Sequence, residues 1–158
     1  MPKQGEIGGS LTKGRLKLTF VWQGDRFQHR VEQAEAFLES TSDSDTFDTP
    51  VFQEVHQQGD LLFASGMSGG RHWSASIEPA ADGFAFDVAC RVKSAETPAA
   101  SCYEGGEGRG FKLEPISLDE GTPTVETAAG LTTILSGEAI ATEAPYTIRY
   151  RYRITRPI

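Results

Sequence analysis

Alternation of apolar and polar residues constrains this chain more than any other feature. In FAFDVACRVK, Phe84, Phe86, Val88, Cys90 and Val92 fall on one side, and Ala85, Asp87, Ala89, Arg91 and Lys93 on the other. A period of two marks a strand with one face in a core and the other in water. RLKLTFVW repeats the pattern, with Leu16, Leu18, Phe20 and Trp22 opposite Arg15, Lys17, Thr19 and Val21. RHWSASIE repeats it with Trp73, Ala75 and Ile77 inward. The closing strand does so with Tyr146, Ile148, Tyr150, Tyr152 and Ile154 inward and Arg149, Arg151 and Arg153 outward. Short apolar runs at 51–57, 60–65, 111–118 and 131–141 add further strand candidates.

The turns fit these faces. Gly24-Asp25 is a two-residue hairpin loop that pairs Trp22 with Phe27, Phe20 with His29, Leu18 with Val31 and Lys17 with Glu32. PAADG at 79–83, with Gly83 suited to positive φ, sets Ile77 near Phe84, Ala75 near Phe86 and Trp73 near Val88. Both registers put apolar faces together, and a one-residue slip would carry charge inside. Trp22, Phe27, Trp73, Phe84, Phe86 and Val88 are therefore expected in one core. A turn at Thr142–Pro145 would pair the last two strands, with Glu138 facing Arg149 and Ser136 facing Arg151. VEQAEAFLES at 31–40 reads as one short helix or as the end of a strand, and residues 97–110 read as a long loop rich in small residues.

At 158 residues the chain suits one domain. The expectation is an all-β, antiparallel meander of about nine strands, barrel-like, with a two-sheet β-sandwich as the alternative. Residues 1–14 read as a flexible N-terminal arm and 15–158 as a single antiparallel β domain. The outline is similar to that of lipocalin-type barrels, although FVWQG lacks the Gly-x-Trp that opens that family. The likeness is one of architecture alone.

Charge narrows the partners. The net charge is -7 and the pI about 5.0. Residues 31–70 hold eight acids and no Lys or Arg, whereas four Arg close the chain. Nucleic acid is a poor fit to an acidic protein whose last arginines lie opposite its aromatics rather than among them. No run of about 18 apolar residues suggests membrane insertion. The start lacks the apolar core of a signal peptide, so the cytoplasm is the expected compartment. Cys90 and Cys102 show no CxxC or Cys/His spacing and are expected as two thiols.

Chemistry leaves few traces. The glycine-rich stretches SGMSGGRHW and GGEGRGF have no phosphate-loop pattern. Asp43, Asp45 and Asp48 crowd one loop without the turn glycine and distal Glu of a calcium loop, and read as a solvated acidic segment. His29, Cys90 and the serines show no nucleophile–base spacing. No cofactor or metal is expected. Small inward residues Gly137, Ala139 and Ala141 near the tyrosines suggest either tight packing or a hollow. The first functional expectation is thus a non-enzymatic binding module holding a small apolar or aromatic ligand inside, against Phe20, His29, Tyr150 and Tyr152. The second is a protein- or glycan-docking domain that uses its charged outer face and loops, with Arg149, Arg151 and Arg153 as an anion-docking row. An enzyme without a visible motif is third.

Overall fold

The computed structural model describes residues 2–42, 46–94, 97–105, 109–118, 122–136 and 144–156. The described residues form thirteen strands and no helix. In chain order they are β1 (Ile7–Lys13), β2 (Leu16–Gln23), β3 (Arg26–Gln33), β4 (Ala36–Thr41), β5 (Glu54–Gln58), β6 (Leu61–Ser68) and β7 (Arg71–Ala80). β8 (Gly83–Val92), β9 (Ala100–Glu104), β10 (Lys112–Ile116), β11 (Thr124–Ala128), β12 (Leu131–Leu135) and β13 (Tyr146–Thr155) follow. One antiparallel sheet has the order β1-β2-β3-β4-β9-β12-β11, and the other has β10-β13-β8-β7-β6-β5. The sheets face each other and do not close into a barrel, so the all-β expectation holds in its sandwich form.

Both sheets put their alternating apolar residues inward. Trp22, Phe27, Trp73, Phe84, Phe86 and Val88 share one core with Leu18, Val31, Leu62, Tyr150 and Tyr152. The β2–β3 hairpin has the expected pairs Trp22 with Phe27, Phe20 with His29 and Lys17 with Glu32. The β7–β8 hairpin keeps the expected faces but shifts by two residues, so Trp73 lies opposite Cys90 and Ile77 opposite Phe86. A tighter loop explains the shift: Ala80 pairs with Gly83, and Asp82 takes the positive φ of 61°. Gly83 serves another need, since a Cβ there would lie 1.9 Å from the Ile154 carbonyl oxygen.

Three expectations are corrected. Residues 7–13 are not part of a flexible arm but form β1, paired with β2. Only Leu11 is a large buried side chain in that strand, so its pattern is faint. Its glycines instead allow close approach: a Cβ on Gly8 would meet the Phe27 ring, and one on Gly9 the Leu62 side chain. The VEQAEAFLES segment forms no helix: Val31–Gln33 end β3, Ala34 and Glu35 make the turn with Ala34 at φ 54°, and β4 begins at Ala36. The third correction concerns β12 and β13, which lie in different sheets. β13 pairs with β8 and β10, so Arg149 faces Ala89 rather than Glu138. Gly137, Glu138, Ala139 and Ala141 lie outside the described residues.

A strap closes one end of the sandwich. Asp48 bridges Ala99, donating its N–H to the Pro98 carbonyl and accepting from the Ala100 N–H. Phe52 then accepts from the Phe27 N–H at 2.7 Å, and the Gln53 N–H donates to Ser65 of β6 at 2.8 Å. The strap thus crosses from the seven-stranded sheet to the six-stranded one. Gly66 lets it pass, because a Cβ there would sit 2.0 Å from the Val51 carbonyl oxygen.

Candidate functional site

The four interior residues expected to hold a ligand do meet. His29, from β3, stacks on Phe20 at 4.9 Å between ring centroids and lies 5.3 Å from Phe86 across the sandwich. Phe86 stacks on Tyr152 at 4.9 Å, and Tyr150 lies 6.1 Å from Tyr152. Each of these rings comes from an inward position of an alternating strand, so the column follows from the pattern.

The polar partners of the column come from β9. His29 Nε2 and the Tyr103 hydroxyl share a hydrogen bond of 2.6 Å, and Tyr103 shares another of 2.5 Å with Tyr152. Ser101 Oγ and the Tyr150 hydroxyl are 2.7 Å apart. β9 lies within the stretch read as a loop, yet Ala100, Ser101, Cys102 and Tyr103 are all buried. Small residues hid it, since a strand paired between two others needs no large side chain to fix it. Burial pulls the His29 pKa down from 6.5 to about 3. The same desolvation pushes Tyr152 up to about 12 and Tyr103 and Tyr150 well above their ordinary range. The cluster is therefore neutral around pH 7.

The column leaves little room. The space enclosed by His29, Ser40, Phe52, Ser101, Tyr103 and Tyr152 is about 20 Å³. A pocket for a drug-sized ligand runs from roughly 300 Å³ upward. The inward tyrosines fill the core instead of lining a hollow.

The arginine row is also engaged. Arg149 donates to Asp87 through Nε at 2.8 Å and through Nη2 as well. Arg151 lies 3.7 Å from Asp87, and Arg153 lies 4.0 Å from Glu114 of β10. β13 is flanked by strands that each present an acid on this face, so the row has charge partners along its length. Arg151 Nε and Arg153 Nε have no hydrogen-bond partner among the described residues, so the row keeps donors beyond its ion pairs. These exposed pairs contribute little stability individually. Cys90 and Cys102 are buried and form no disulfide, as expected.

Two large concavities lie outside the core, one of about 890 Å³ beside β1, β5, β6 and β7 and the other along the strap. A cleft of about 780 Å³ is lined by residues from β3, the strap, the β6–β7 turn and the segment after β8. Its wall holds Arg71, which is 4% exposed. Arg71 Nε donates to Asp48 at 2.8 Å, Nη2 donates to the Thr97 carbonyl, and Nη1 lies 3.6 Å from the Cys90 sulfur. Thr97 Oγ1 donates to the other Asp48 oxygen at 2.7 Å. The guanidinium also sits 5.8 Å from the Trp73 ring centroid. Arg26, Ser42, Phe47, Thr49, Ser68 and Ser94 also line the cleft. Gly70 shapes the floor, since a Cβ there would meet the Ser94 carbonyl at 2.1 Å.

Sequence reasoning missed this cleft because its parts lie far apart in the chain. In the sequence Asp48 is one of three aspartates on an acidic segment, of which Asp43 and Asp45 lie outside the described residues. Among those described, no cluster of three His, Cys, Asp or Glu side chains is arranged to hold a metal ion. Asp48 serves the arginine. Replacing Asp48 with Asn leaves a buried guanidinium without its counter-charge. The expected cost is about 2 kcal/mol, below the range for a fully buried pair because water reaches Asp48. Urea unfolding checks it, and a change within about 0.5 kcal/mol would show that the pair does not hold the strap.

No protein family, curated protein or solved structure matches the chain.

Proposed function

We propose that the protein is a non-enzymatic binding module that docks a neutral, hydroxyl-rich ligand, a glycan, in the cleft beside the strap. The carrying observation is the Arg71–Asp48–Thr97 network in a cleft wall otherwise rich in hydroxyl groups. A sugar presents paired hydroxyls that both donate and accept. Recognising it takes a few donors and acceptors held rigid by one another, beside an aromatic surface. Arg71 and Asp48 fix each other, and half-buried Phe47 supplies aromatic carbon.

Charge argues for a neutral ligand. The chain carries a net charge of -7, and Arg26, which lines the cleft, is ion-paired with Asp25 at 3.0 Å. Both cleft arginines already bond carboxylates, so a free anion would have to compete with them. The filled core supports docking at the surface over burial of an apolar ligand. The buried, neutral His–Tyr cluster supports binding over catalysis, because its groups are closed off from substrate.

The test is a titration of isotope-labelled protein with neutral oligosaccharides of several sugar types, read by amide chemical shifts. At a Kd of about 1 mM or tighter, shifts are expected at Thr49, Gly69, Gly70 and Thr97. Arg26→Ala is expected to weaken that binding roughly tenfold or more. A panel that moves no cleft amide, or moves only the outer face of the six-stranded sheet, would overturn the reading.

A further inference from the structure

We infer that the small space beside His29 is a binding site for one water-sized hydrogen-bonding molecule, and that this guest sets the direction of the buried His29–Tyr103–Tyr152 relay. This inference stands apart from the reading of the cleft.

The first observation is size. The space is about 20 Å³. One water needs roughly 10–15 Å³ measured this way, so the space admits one such molecule and not two. The second is an unsatisfied atom. His29 lines the space, is almost wholly buried, and its Nδ1 has no hydrogen-bond partner in the protein. Buried polar atoms are almost always paired, with ordered water when protein does not serve. The third is the wall, whose residues include the hydroxyl-bearing Ser40, Thr41, Thr49, Ser101, Tyr103 and Tyr152. An apolar guest would leave Nδ1 unpaired and is disfavoured.

The relay follows from imidazole chemistry. Neutral imidazole carries one N–H and one acceptor nitrogen. Burial keeps this ring neutral. A guest that accepts from Nδ1–H makes Nε2 the acceptor, so Tyr103 donates to His29 and Tyr152 donates to Tyr103. A guest that donates to Nδ1 makes Nε2–H the donor to Tyr103, which frees the Tyr103 hydroxyl to donate to Tyr152. Water can do either, so the guest couples the tautomer of His29 to the orientation of two hydroxyls on β9 and β13. Thr49 lines both this space and the cleft, which makes the strap their shared wall.

The test uses the whole chain. A crystal structure at about 1.2 Å resolution would show the guest, and nitrogen chemical shifts of the His29 ring would report its tautomer. Expected are density about 3 Å from Nδ1 and a neutral ring across pH 5–8. Tyr103→Phe should retain the guest and change the tautomer balance, because Nε2 loses its partner. Should that variant not fold, the wild-type density and ring shifts decide by themselves. An Nδ1 with no density beside it, an Nδ1 bonded to a protein atom, or a space that takes up xenon in place of a polar molecule would overturn the inference.

Discussion

Replacing Phe86 with Ala is expected to lower the unfolding free energy by about 3–5 kcal/mol. The ring is 2% exposed and stands at the centre of the sandwich. It stacks on Tyr152 with an interplanar angle of 3° and reaches across to His29 from the opposite sheet. Truncation removes contacts to both sheets at once. The β8 backbone is fixed by ladders to β7 and β13, so the gap collapses only in part. Denaturant unfolding measures the loss as a fall in midpoint with an unchanged slope. A loss below about 1 kcal/mol would mean that this face is not buried as described.

Acid is expected to destabilise the fold through His29 before most carboxylates titrate. Its pKa is about 3 in the folded state against an ordinary 6.5, and burial is the cause. Between those values the unfolded chain binds a proton that the folded chain refuses. Stability therefore rises with pH across this window and is fully present above about pH 6.5. On descent the expected loss is about 1.4 kcal/mol per pH unit, or about 2 kcal/mol by pH 5. His29→Phe keeps an aromatic ring between Phe20 and Phe86 but does not titrate. The difference in unfolding free energy between wild type and this variant should slope across pH 6.5–4. A flat difference would show that His29 is not held neutral by burial.

Much of the fold was legible in the residues, for a local reason. Alternation assigns each residue of a strand to a face, and the loop between two strands sets their register. Gly24-Asp25 fixed β2 against β3 residue by residue. The β7–β8 estimate was off by two, which preserved every face because the side-chain period is two. The interior column of Phe20, His29, Tyr150 and Tyr152 followed from the same rule. Its polar partners Ser101 and Tyr103 did not, because β9 has small residues and pairs at long range with β4 and β12.

The sequence by itself determined an all-β fold, the inward faces of β2, β3, β7, β8 and β13 and most of the aromatic residues of the core. These depend on neighbours in the chain and on the turns that join them. The tertiary structure alone decided which strands share a sheet, whether the tyrosines surround a hollow or fill one, and which acids meet the arginines. β12 and β13 look like a hairpin and lie in opposite sheets. Asp48 looks like part of an acidic loop and neutralises an arginine 23 residues away. The physical reason is shared. Ladder pairing, charge pairing and cavity volume depend on distance in space between segments remote in the chain, and periodicity carries no record of that distance.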